Sequence, residues 1–185
     1  MGRKIVFFLF MMSLMLAPAG ILHAQEEGRY VSGRFCSVFY EEGVSLREVN
    51  RRVNLRFSDF YSPRAYREKA DLPMDHILSE KFDAIFARVE DILDMYPSKV
   101  RVNIMIYKDR KGLDAAYEEI FNEPNTAVSF YVYKTNTIYT TVKAMTEGIL
   151  AHEMAHCIID HYFVILPPRK IQEMLAVYAD IHLKN

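Results

Sequence analysis

Residues 148–160 read Gly-Ile-Leu-Ala-His-Glu-Met-Ala-His-Cys-Ile-Ile-Asp, and within them His152, Glu153 and His156 have the types and spacing of a metal-assisted hydrolytic site. On an α-helix, residues four apart lie one above the other. His152 and His156 would therefore present two imidazoles to one point, a reach that suits a zinc ion. Glu153 is offset by about 100° around the same axis. That sets its carboxylate beside the ion, where it can take a proton from a bound water. With six histidines in the chain, this pattern should arise by chance in about one such sequence in a hundred.

The flanks support the helix. From Met145 to Phe163 there is no proline and one glycine, and Ala151, Met154, Ala155, Ile158 and Tyr162 recur at helical spacing. The histidines fall on a different face that is itself bordered by Ile149, Ile159 and Phe163. A helix buried on most sides with two histidines and two acids on one of them needs partners for those groups, and a metal supplies them.

A catalytic zinc takes three protein ligands and leaves one position for water. His161 points nearly opposite to His156. Asp160, one turn past His156 on its face, could ligate or stand behind a ligand. The stronger candidate is Glu173. Pro167-Pro168 ends one helix and permits another, and Arg169–Leu183 reads as that second helix, with Glu173 in its first two turns. Asp180, seven residues on, returns to the same face and could orient a metal-bound imidazole through its second nitrogen.

His152-Glu153-x-x-His156, a proline turn, then Gln172-Glu173-Met174-Leu175-Ala176-Val177-Tyr178 resembles the gluzincin branch of the zinc metallopeptidases. The resemblance covers roughly the second half of the chain. It implies one Zn²⁺ held by His152, His156 and Glu173, Glu153 as general base, and a peptide or protein substrate. It departs from the family in lacking a glycine after Glu173 and in a short spacing between the helices. For the oxyanion, Tyr178, Tyr162, His161 and His182 all stay open as candidates.

The elements that must position these residues follow from periodicity. A strand is expected at Arg34–Tyr40 and a helix start at Ser45, with Glu48 three residues on. Asn54–Tyr61 is ambiguous, and Ser62–Pro73 reads as polar loop. Asp75–Tyr96 is an amphipathic helix stopped by Pro97, Val100–Tyr107 an alternating strand, and Lys111–Phe121 a further helix. Thr126–Tyr133 and Thr137–Val142 form a hairpin. The expected fold is α+β, with a small mixed or antiparallel sheet, an active-site helix and a following glutamate-bearing helix. That order is also what zincin catalytic domains look like, in which the strand before the metal helix lies at a sheet edge open to an extended peptide.

Arg3-Lys4, the apolar run Ile5–Leu16 and the small residues after it read as a secretory leader over 1–24, cleaved after Ala24 or, less favoured, Ala19. Residues 25–185 then form a single zincin-like domain, exported to the periplasm or outside the cell, with no stable membrane insertion. Losing Arg3 and Lys4 moves the formal charge from −1 to −3, which gives no reason to expect nucleic acid or an anionic membrane as partner. Cys157 reads as a core residue in preference to a disulfide partner for Cys36. The function expected is a zinc-dependent peptidase. The competing reading is a non-proteolytic, exported zinc-binding accessory protein that keeps the fold.

Overall fold

The computed structural model describes residues 29–55 and 72–184. The expected leader at 1–24, most of the ambiguous stretch 54–61 and most of the expected polar loop 62–73 lie outside the described residues. Among these residues there are five strands and five α-helices in an α+β arrangement. In chain order they are β1 (Arg29–Ser32), β2 (Cys36–Tyr40), α1 (Leu46–Arg52), α2 (Met74–Leu93), β3 (Val102–Tyr107), α3 (Arg110–Phe121), β4 (Ser129–Val132), β5 (Thr137–Thr141), α4 (Glu147–Tyr162) and α5 (Arg169–His182).

The strands form one sheet in the order β1-β2-β3-β5-β4. Its centre is parallel, β2 with β3 and β3 with β5, and each rim is an antiparallel pair, β1 with β2 and β4 with β5. The sheet is therefore mixed, because helical crossovers rather than tight turns join its central strands. The alternation read in β3 holds: Val102, Ile104 and Ile106 are fully buried. They enter the main core together with Phe82, Ile85, Phe86 and Val89 of α2 and Leu150, Met154 and Ile158 of α4. On the other face α3 sets Leu113 against Phe130 and Val132, with Tyr107 and Tyr139 alongside.

The helix boundaries have local causes. Ser45 caps α1 by accepting from the Glu48 N–H at 3.4 Å, as the spacing suggested. α2 ends three residues sooner than Pro97 requires. Asp94 turns into the left-handed region at φ 51°, and the Met95 N–H closes on the Glu90 carbonyl at 3.1 Å. β1 carries no clear period-2 signal and was not expected. The hairpin joining it to β2 is held by Asp83 of α2, which accepts from the backbone N–H groups of Arg34, Phe35 and Cys36 at 2.5, 2.8 and 2.9 Å. Cys36 and Cys157 are both free and fully buried, Cys157 in the main core as expected. No helix among the described residues is long and apolar enough to cross a membrane.

Candidate metal centre

Thr146 starts α4 by accepting from the Ile149 N–H at 3.2 Å. Ala151, Met154, Ala155 and Ile158 then bury the side facing the core, while Tyr162, in the last turn, is left 48% exposed where the chain leaves the packed layer. The first turn is anchored through Glu147. Its carboxylate accepts from the Asn54 N–H at 3.1 Å and pairs with Lys184 just beyond α5. These partners outweigh the upward push of burial and hold the Glu147 carboxyl below its ordinary value. Stability from a depressed acid is present above the ordinary carboxylate pKa and is lost as pH falls through the lower folded value. Glu147→Gln should therefore flatten the acid limb of a pH–stability profile, modestly, because Lys184 is exposed. Urea melts between pH 6 and 3 would measure it, and unchanged limbs would refute the anchor.

α5 begins after Pro167-Pro168, where Pro168 is the cap and Arg169 the first helical residue. Ala176 and Ala179 are fully buried on its inner side. Gly148 permits a close approach of the two helices, since a Cβ there would run into the Asp180 carboxylate. This packing brings three expected residues together. His152 Nε2 and His156 Nε2 stand 3.5 and 3.6 Å from Glu173 Oε2, and the imidazole centroids are 5.0 Å apart at 76°. The three candidate ligand atoms lie within 4.8 Å of one another.

Those separations are long for direct hydrogen bonds. The two histidine–glutamate separations match edges of a coordination tetrahedron, because an ion bound at about 2.0–2.1 Å holds adjacent ligands about 3.4 Å apart, while all three ligand atoms lie within the wider limit of 4.8 Å. His156 is buried, and burial lowers its pKa against the raising pull of Glu173, which keeps the ring neutral and free to donate a lone pair. His152 and Glu173 retain 27% and 40% side-chain exposure, so the cluster opens to solvent on their side. The Arg169 Nε donates to Glu173 Oε1 at 2.8 Å and leaves Oε2 aimed at the histidines.

Glu153 sits beside the cluster, beneath the edge strand. Alternation along β4 turns Phe130 and Val132 toward α3 and leaves Ser129 and Tyr131 toward α4. Burial, and then the Glu173 carboxylate, raise the Glu153 pKa to about 7, while the Ser129 hydroxyl, Arg169 and the Tyr131 backbone N–H pull the other way. Ser129, Tyr131 and Arg169 were not foreseen. Arg169 had a signal, its four-residue spacing from Glu173. The two strand residues had none, because only the sheet register delivers them.

The other expected residues do not join the cluster. Asp180 is on the Glu173 face, but seven residues carry it about 10 Å along the axis, to Gly148 at the start of α4. Asp160 is half-buried, and burial raises its pKa. Among the described residues neither acid hydrogen-bonds to His152 or His156. Tyr178 lies about 140° around α5 from Glu173, exposed and stacked on His182 at 4.0 Å. His161 binds the Cys157 carbonyl at 2.9 Å and faces Tyr133.

The chain was compared with protein-family models, curated proteins and solved structures, and none of them matches it.

Proposed function

We propose that this chain is an exported, zinc-dependent peptidase of the gluzincin type. The observation that carries the reading is the convergence of two imidazoles and a carboxylate from adjacent helices, each imidazole at about a tetrahedral edge from the carboxylate, with a buried carboxylate beside them. Two nitrogens and one carboxylate oxygen are a donor set that suits zinc, with a further position left for water or substrate.

A zinc ion bound there would supply a Lewis acid and lower the pKa of its water. The remaining work belongs to the chain. Glu153 takes the water's proton and returns it to the leaving amine, a role suited to a carboxyl poised near neutrality. The Tyr131 N–H holds that carboxylate in place, and the Ser129 hydroxyl beside it donates to the Tyr139 carbonyl at 3.0 Å. Arg169 fixes the rotamer of Glu173. Among the described residues β4 has β5 on one side and no strand on the other, so its outer edge can pair with an extended peptide and bring the scissile carbonyl over Glu153.

The test is hydrolysis of a mixed library of quenched fluorescent peptides by the purified chain. Activity should disappear on treatment with a chelator and return on adding about one equivalent of zinc. A chain that binds zinc tightly yet cleaves nothing would favour the accessory-protein reading.

A further inference from the structure

α5 is apolar on two sides. The inner side carries the buried Ala176 and Ala179. The outer side carries Ile171, Met174, Val177, Tyr178 and Ile181, all exposed, with Met174 at 58% and Ile181 at 62%. At about 100° per residue these five span an arc of about 120°, nearly opposite the two alanines. The segment entering the helix adds Tyr162 and residues 164–166, and the side chains of Val164 and Ile165 stand almost fully in solvent. Of the fifteen exposed large hydrophobics among the described residues, nine fall between 162 and 181. Together they expose on the order of 1,000 Å², above the few hundred usual for a patch on a monomer and close to the share of one partner in a standard interface.

We infer that a second copy of this chain covers this surface, with the two α5 helices packed antiparallel about a two-fold axis level with residue 176. Ile171, Met174, Tyr178 and Ile181 follow a three-four-three spacing, the repeat of a helix–helix seam. That spacing reads the same in both directions, so the stripe is complementary to itself, as an isologous contact requires. Antiparallel pairing sets Ile171 opposite Ile181 of the second copy. It sets Met174 opposite Tyr178 of the second copy, thioether against aromatic ring. A lipid surface fits less well. Arg169 and Lys184, at the two ends of the helix, are engaged by Glu173 and Glu147, which leaves the exposed Lys170 as the lysine or arginine of this segment to meet anionic headgroups. The inference stands on the outer face of α5 and is independent of the metal.

Sedimentation analysis of the purified chain tests it, with Met174→Glu/Ile181→Glu as the variant and Ile120→Glu, an exposed site on α3, as control. The wild type and the control should be dimers at micromolar concentration. The double variant should be monomeric, with Kd raised about 100-fold or more, and its circular dichroism should be unchanged because both side chains are exposed. Tyr178→Lys, one charge at the centre of the seam, should act alike. Three results would each overturn the inference: a wild type monomeric at about 100 µM, a dimer that survives these substitutions, or a monomer that sediments with vesicles of phosphatidylcholine and phosphatidylglycerol.

Discussion

Glu153→Gln should abolish hydrolysis and, in the same protein, raise the stability of the metal-free fold. The first effect follows from the removal of the proton acceptor beside the cluster, typically 10²–10⁴-fold in rate. Metal content should not change, since Glu153 is not among the three clustered ligands. The second effect follows from burial. The carboxyl rises from its ordinary value to about 7, so the folded chain binds this proton more tightly than the unfolded chain does. For an acid with a raised folded pKa, stability is fully present below the unfolded value and falls as pH rises through the folded one. The window is therefore about pH 4.5 to 7. At 1.36 kcal/mol per tenfold in proton affinity the penalty above it is about 3 kcal/mol. A glutamine removes that penalty and keeps an acceptor for the Tyr131 N–H, but its amide protons need partners, so a net gain of about 2 kcal/mol is expected. Urea titration of both chelated proteins at pH 5 and 8 measures it. A variant no more stable than wild type at pH 8, or one that still cleaves peptide, would remove Glu153 from the proposed role.

How much of this was legible in sequence depends on how far apart the interacting residues lie along the chain. His152 and His156 are neighbours on one helix, so their spacing alone set them together. Glu173 was reachable because a proline turn and a second amphipathic pattern imply two helices side by side. The environment of Glu153 was not reachable. Ser129 and Tyr131 come from a strand, and only the pairing of Phe130 with Tyr139 and Tyr131 with Ile138 turns them toward α4. β1 was missed for a similar reason, since four residues with no apolar alternation become a strand by pairing with β2, next to a hairpin that Asp83 secures. The position of Tyr178, well around the helix from Glu173, is legible from helical angles. That of Asp180 is not, because sharing a face says nothing about level, and the relative slide of α4 and α5 sets which residue each one meets. In the structure that slide sets the Asp180 carboxylate against Gly148.

Glu173→Ala is the second large effect expected. With the carboxylate gone, His152 and His156 remain on α4 as a two-nitrogen site, too few for a closed zinc coordination. Removing a hydrogen-bonded partner behind a ligand typically costs 10–100-fold in metal affinity. Removal of a ligand itself should cost more, on the order of 10³-fold, and hydrolysis should fall with zinc occupancy. The fold should persist, because the side chain is 40% exposed and its other contact is the exposed Arg169. Metal content by mass spectrometry, wild type and variant side by side, reads the result without needing a substrate. Wild-type zinc retention in the variant would move the third ligand elsewhere, with Asp160 on the histidine face the next to replace. Arg169→Ala separates position from charge. It leaves both carboxylate oxygens but frees the rotamer, so its loss of zinc affinity should lie at the lower end of the range for a partner behind a ligand, about tenfold. If the arginine variant lost metal as completely as Glu173→Ala, the cation would be holding α5 against α4 rather than aiming one carboxylate.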